Sequence, residues 1–218
     1  MQISVKADVK QLTKSLTRIQ RKQIPFATSK ALNDVAFDVR KSLQDGLDTH
    51  LDRPTPYTKR GVQVEKSTKN KLVAEVGFRS KTFGKGQGSV TQASYMERQI
   101  KGGLRTPKGS AIPVPIVKNL KLNKYGSITK NKINNALGNV NKFFSGKPKG
   151  AKSKGTGEGI WERYGGKRNP KIKMIISWNK TTDYQARYPF KNIVTQSVRK
   201  NFRKRFDNAL QQALKTAR

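Results

Sequence analysis

The chain has no cysteine in its 218 residues, which excludes disulfide staples, thiolate metal sites and a cysteine nucleophile, and fits a reducing compartment. Histidine is almost as scarce: His50 is the only one, so paired imidazoles for metal or proton work do not exist. No apolar run approaches the roughly 18 residues that a membrane-spanning helix requires. The opening Met1-Gln2-Ile3-Ser4-Val5-Lys6 has no apolar h-region, so the expectation is synthesis in a cytoplasm without a signal peptide. The most informative shortage is of acid. Thirteen Asp and Glu stand against 47 Lys and Arg, a net charge of +34. Between Glu97 and Glu158 sixty residues pass without a carboxylate, and fourteen of them are basic. Such a segment cannot neutralise itself, so it requires solvent, counterions or a polyanion. Its field argues about partners rather than about fold.

Hydrophobic residues are only 33% of the chain, too few for one compact core running through every segment. The expected organisation is a single α+β domain, with N-terminal helices and a C-terminal amphipathic helix packed on a small antiparallel sheet. It comprises a helix–helix–hairpin half over 1–78, a long, basic, extended and partly disordered insert over 79–158, and strands with a closing helix over 159–218. Ile3, Val5 and Ala7 alternate with polar residues and predict a short strand. Asp8 and Gln11 have capping-box spacing, and Val9, Leu12, Leu16 and Ile19 predict a helix to about Gln23. Pro25 is suited to the first turn of a second helix, with Leu32, Val35, Ala36, Val39, Leu43 and Leu47 as its buried face and Gly46 at its fraying end. The prolines of Asp52-Arg53-Pro54-Thr55-Pro56-Tyr57-Thr58 predict non-helical chain. Val62 and Val64, then Leu72 to Phe78, predict a hairpin, and Ser80 to Gly88 a loop.

Within the basic middle, Ile112-Pro113-Val114-Pro115-Ile116 reads as extended. Ile133, Leu137, Val140 and Phe144 share one helical face, with Gly146 as the stop. Residues 146–157 have the composition of a flexible loop. Ile160 to Tyr164 and Lys171 to Trp178 predict a second pair of strands, with Ile172, Met174, Ile176 and Trp178 on one face. Pro189 opens the clearest helix, whose stripe is Val194, Val198, Phe202, Phe206, Leu210 and Leu214, backed by Ala209 and Ala213.

Catalytic patterns are poorly represented. His50 has no histidine or cysteine partner and reads as a surface or structural residue. Asp34 and Asp38, like Glu158 and Glu162, are spaced by four, but on so basic a chain such pairs are more often solvated or paired with lysine. Asp34 and Asp38 are expected within reach of Lys30 and Lys41. Asp8-Val9-Lys10 has the acidic-x-Lys form of some nucleases without a second metal-binding acid upstream. No phosphate-binding glycine–lysine loop follows a strand, and Gly84 to Gly88 is a glycine cluster rather than a dinucleotide fingerprint. Trp161, Trp178, Phe202 and Phe206 read as packing residues. No catalytic, cofactor or metal residue is therefore assigned, and the expectation is a protein that is not an enzyme.

Binding is better represented. The candidates for contact with DNA or an acidic partner are Arg98, Lys101, Arg105, Lys108, Lys118, Lys121, Lys124, Lys147, Lys149, Lys152 and Lys154 in the middle. On the last helix they are Arg199, Lys200, Arg203, Lys204 and Arg205. No zinc-finger spacing, leucine zipper or helix-turn-helix accompanies them, so contact with DNA would be to the backbone, salt-dependent and blind to sequence. An acidic protein surface is slightly preferred to DNA for 98–157, because Ile112 to Ile116 and Ile133 to Phe144 call for a surface to bury against.

Five stretches resemble a family of small basic proteins from the morphogenesis regions of tailed phages and prophages. They are Asp52 to Thr58, Tyr95-Met96-Glu97-Arg98-Gln99-Ile100-Lys101-Gly102-Gly103, Leu122-Asn123-Lys124-Tyr125-Gly126, Gly159-Ile160-Trp161-Glu162-Arg163-Tyr164-Gly165-Gly166 and Arg187-Tyr188-Pro189-Phe190. More distantly, the plan is similar to the minor tail protein Z and tail-completion groups. The resemblance implies a virion protein of the neck or upper tail, assembled in the host cytoplasm as a homo-oligomeric ring, often sixfold. Its implied partners are portal or adaptor, tail terminator or tail tube proteins, with packaged DNA nearby, no membrane and no cofactor. The competing expectation is a non-specific nucleic-acid-binding packaging or nucleoid protein, with a nuclease as a distant third.

Overall fold

Residues 2–6, 18–86, 90–107, 109–149, 157–166 and 171–216 are described in a computed structural model. They form an α+β fold whose contacts divide into two units, Met1–Gly102 with Gln185–Arg218, and Gly103–Tyr184. The first unit holds strands β1 (Gln2–Lys6), β2 (Val62–Glu65) and β3 (Val73–Phe78). Its helices are α1 (Arg18–His50), α2 (Pro56–Arg60), α3 (Gln92–Lys101) and α5 (Phe190–Lys215). The second holds β4 (Gly103–Arg105), β5 (Ile112–Pro115), α4 (Lys130–Gly138), β6 (Phe143–Gly146), β7 (Gly159–Tyr164), β8 (Lys171–Asn179) and β9 (Thr182–Tyr184).

In the first unit the predicted hairpin forms, and β1 adds to it, giving an antiparallel sheet in the order β1-β3-β2. Register places Val62 opposite Phe78 and Val64 opposite Val76, so the period-two apolar residues share one face. Leu32, Val35, Val39, Leu43 and Leu47 of α1 pack into the same core as Val62, Ala74, Val76 and Phe78, together with Tyr188, Phe190 and Val194. Helices α1 and α5 pair antiparallel. Ser42 Oγ donates to Ser197 Oγ at 3.2 Å, while Ala27 and Ala31 meet Ala209 and Ala213 further along. The turn after β2 is tied to α1 by Asn33, whose side-chain amide mimics a strand partner. Its Oδ1 accepts from the Ser67 N–H at 2.7 Å, and its Nδ2 donates to the Ser67 carbonyl at 3.2 Å.

Several expectations are corrected here. Pro25 does not open a second helix: α1 runs through it from Arg18 to His50 among the described residues. The interior proline costs ~3 kcal/mol, offset by burial of Ile24, Ala27 and Ala31 around it. The Asp8–Gln11 capping box and most of the first predicted helix lie outside the described residues. Gly46 does not mark a fraying end, because α1 continues to His50; a Cβ there would meet Ile193 Cδ1 at 2.7 Å. Proline also proves compatible with helix in the 52–58 stretch. Thr55 is extended, as a residue before proline should be, and its hydroxyl caps α2 by accepting from Thr58 N–H at 3.2 Å, with Pro56 at N1. The closing helix forms as predicted, but Leu214 at the end of its stripe is 42% exposed.

The expected insert is neither extended throughout nor bounded at 79 and 158. Helix α3 belongs to the first unit, and the strands after Glu158 belong to the second. Gly103–Tyr184 folds around its own antiparallel sheet, ordered β5-β8-β7-β6. Ile160, Ile175, Ile176 and Ala136 are its buried centre, with Leu120, Ile128, Ile133 and Phe143 packed against them. The helix predicted through Phe144 ends at Gly138, and Phe143–Gly146 is strand β6 instead. The predicted single face of β8 is broken by an irregularity between Ile160 and Trp161, where Ile160 pairs with Ile176 but Trp161 with Met174. Ile175 is the extra residue and joins Ile176 in the core, while Ile172 is 42% exposed. Gly159 makes the pairing possible, because a Cβ there would stand 2.1 Å from the Ile176 carbonyl oxygen. The chain enters and leaves this unit through a two-stranded ribbon in which β4 pairs with β9, Gly103 opposite Tyr184. Gly102 and Gly103, with φ of 70° and 97°, turn the chain into it.

Candidate polyanion interface

Helical spacing sorts the cations of α5. Arg199 and Arg203, like Lys200 and Lys204, are one turn apart and exposed. Arg205 points elsewhere. Its Nε and Nη2 donate to the two oxygens of Asp38, each at 2.8 Å, so it clasps α5 to α1 and leaves the candidate set. Lys200 also borders a shallow recess of about 270 Å³ lined by Ser42, Ile193, Gln196, Ser197 and Asn201.

The candidates of the acid-free run fall on both units. On α3, Lys101 is held by Glu97 at 2.7 Å, which keeps that carboxyl below its usual range. Arg98 is half-buried and has a partner within the fold. In the second unit Arg105 donates to the Tyr184 hydroxyl at 3.1 Å across the ribbon. Lys118, Lys121, Lys124, Lys147 and Lys149 are all exposed, Lys124 lying 5.2 Å over the Tyr125 ring. Lys108, Lys152 and Lys154 lie outside the described residues. The sequence reading omitted Lys130, Lys171 and Lys180, which are exposed as well; the acid-free run contained the signal for Lys130.

One of this unit's three carboxylates, Glu162, is already committed. Glu162, with a side chain 16% exposed, is shared by Lys142 and Lys173 at 3.2 Å each. Burial works to raise its carboxyl, but the hydrogen bonds and charges of Lys173 and Lys142 outweigh it and hold the pKa below the ordinary glutamate value. Asp34 pairs with Lys30 at 3.2 Å, as expected, while Asp38 takes Arg205 rather than Lys41. His50 is exposed at the end of α1, edge-on to Tyr188. Both tryptophans are packing residues: Trp161 is buried, stacks on Phe144 and donates to the Gly146 carbonyl at 3.1 Å, and Trp178 donates to Ser145 Oγ at 3.3 Å.

The stretches that carry the resemblance turn out to be joints. Tyr95 donates to Thr58 Oγ1 at 3.1 Å. The Gln99 carbonyl accepts from the N–H groups of Arg187 and Tyr188 at 2.8 and 2.9 Å, and buried Tyr188 donates its hydroxyl to the Leu43 carbonyl at 2.6 Å. Asn123 Oδ1 closes a turn by accepting from Tyr125 and Ser127 N–H at 3.0 and 2.9 Å. Arg163 stacks on Phe144 at 4.6 Å and donates to the Val140 and Phe143 carbonyls at 2.9 and 3.1 Å. Among the described residues no group of three or more His, Asp or Glu is placed to hold a metal ion, and no helix is long and apolar enough to cross a membrane. No protein family, curated protein or solved structure was found to match the chain.

Proposed function

We propose that the chain is a non-enzymatic structural protein of a phage neck or upper tail, a tail-completion or head–tail joining component that docks through its basic unit. What supports this reading is that the family-like stretches form the joints of the fold. Tyr95–Thr58, Gln99–Tyr188 and Tyr188–Leu43 are holding contacts, as residues of an assembly protein would be. On this reading Met1–Gly102 with Gln185–Arg218 makes subunit contacts in a ring, and Gly103–Tyr184 meets a neighbouring ring of portal, adaptor, terminator or tube subunits, or the end of packaged DNA. Mass spectrometry of purified particles tests it. The expected result is a small fixed copy number that survives a density gradient and high salt; absence from purified particles would sink the reading.

A specific observation favours a second reading, non-specific nucleic-acid binding. Much of the apolar pieces that argued for a protein partner is used internally: Ile112 is 5% exposed, and Ile133 and Phe143 pack in the unit's own core, while Leu137 and Val140 stay exposed. The unit turns outward Lys118, Lys121, Lys130, Lys147 and Lys149 among its exposed residues.

A further inference from the structure

We infer that Gly103–Tyr184 is a cassette for a nucleic-acid phosphate backbone, and that the chain's affinity for nucleic acid resides there rather than on α5. The inference rests on the reading of this unit as the docking surface and names its partner. Three observations carry it. The first is charge that the unit cannot cancel: residues 103–184 hold eighteen Lys and Arg against three carboxylates, Glu158, Glu162 and Asp183. Glu162 is already divided between two lysines. Among the described residues Lys118, Lys121, Lys130, Lys147, Lys149 and Lys180 are exposed and stand in no ion pair.

The second is the kind of cation. Fifteen of the eighteen are lysine, a hydrated point charge on a flexible stem, whereas protein–protein interfaces are enriched in Arg and depleted in Lys. Two of the three arginines have duties inside the fold, Arg105 on the Tyr184 hydroxyl and Arg163 on carbonyls of the turn before β6. The unpaired cations named above are all lysines. Lysine point charges spread over loops and turns suit a polyanion of regular charge spacing, read without regard to base sequence.

The third is the use of the apolar side chains. Ile112, Ile160, Ile175 and Ile176 are buried within the unit, and the larger apolar groups left exposed, Leu104, Val117, Leu137, Val140, Tyr164 and Ile172, come from five stretches of chain and include one aromatic ring. A protein interface concentrates its energy in a desolvated apolar and aromatic centre. By contrast, α5 offers four exposed cations, Arg199, Lys200, Arg203 and Lys204, within a unit that also carries ten of the chain's thirteen carboxylates.

The test uses the full-length protein in three forms: wild type, one carrying Lys→Gln at 118, 121, 130, 147, 149 and 180, and one carrying Arg199→Gln, Lys200→Gln, Arg203→Gln and Lys204→Gln. All these side chains are exposed, so circular dichroism should match across the forms. Each is titrated with mixed-sequence duplex DNA over a salt series, and with polyglutamate as an acidic-protein probe. Wild type should bind DNA with log K falling linearly in log salt. The six-lysine variant should lose about 0.9 of slope for each phosphate contact removed, while the α5 variant keeps the wild-type slope. An unchanged slope in the six-lysine variant, or loss in the α5 variant alone, would overturn the assignment. Tighter wild-type binding to polyglutamate than to DNA would overturn the choice of partner while leaving the docking reading intact. The copy number in particles is independent of all these outcomes, so failure of the virion reading shows separately.

Discussion

Tyr188 stands at the end of an extended segment and anchors it twice. Its N–H donates to the Gln99 carbonyl, and its hydroxyl donates to the Leu43 carbonyl at 2.6 Å. Burial strongly raises its pKa, which favours the neutral phenol that donates this bond. Tyr188→Phe keeps the ring contacts with Phe78 and Phe190 and removes one buried hydrogen bond. The expected loss is about 1 kcal/mol, measured as a lower urea midpoint at unchanged m-value; an unmoved midpoint would assign the anchoring to the ring alone. Such roles were only partly legible in the sequence. The stretch Arg187 to Phe190 stood out, but nothing local says that its phenol meets a carbonyl 145 positions earlier. Gly46 was misread for the same reason, since its need for space comes from Ile193 on another helix. Gly159 likewise answers to a carbonyl on the neighbouring strand.

Strong periodicity made most of α1, the β2–β3 hairpin and α5 readable, because each buries a regular face, and showed β7 and β8 as strands without showing the bulge between them. The basic unit was read as an excursion because its core is gathered from scattered single residues: Ile128 from a loop, Ala136 from α4, Ile160 from β7 and a bulged Ile175 from β8. No window of sequence displays that pattern. At this scale Glu162 offers a clean test, since it joins the turn before β6 to β7 and β8 through Lys142 and Lys173. Its pKa is lower folded than unfolded, so its contribution is complete above the ordinary glutamate value and fades as pH falls through the folded one. Both tryptophans, Trp161 and Trp178, lie in this unit, so their fluorescence reports on it specifically. Acidification should lower the urea midpoint seen by fluorescence in the wild type, and Glu162→Gln should flatten that dependence. Equal acid sensitivity in both proteins would assign the effect to other groups.

The whole molecule is two cores on one chain, one interrupted by the other. Domains with separate cores can unfold separately. Tryptophan fluorescence, which sees only Gly103–Tyr184, and far-UV circular dichroism, dominated by α1 and α5, should therefore give urea transitions that do not coincide. A single coincident transition would mean that the two units melt as one. The pairing of α1 with α5 also has a bearing on synthesis. Ser42 must wait for Ser197 and Asp38 for Arg205, separations of 155 and 167 residues. Everything needed for the interrupting unit leaves the ribosome in between. Growth from the N-terminus thus imposes an order: the basic unit completes first, and the apolar flank of α1 stays uncovered until the last helix emerges. A nascent chain stalled with Tyr184 just clear of the ribosomal exit tunnel and α5 still inside it should already show native tryptophan emission while remaining sticky, an aggregation-prone interval during which a chaperone, or the charge of the finished cassette, keeps the polypeptide in solution.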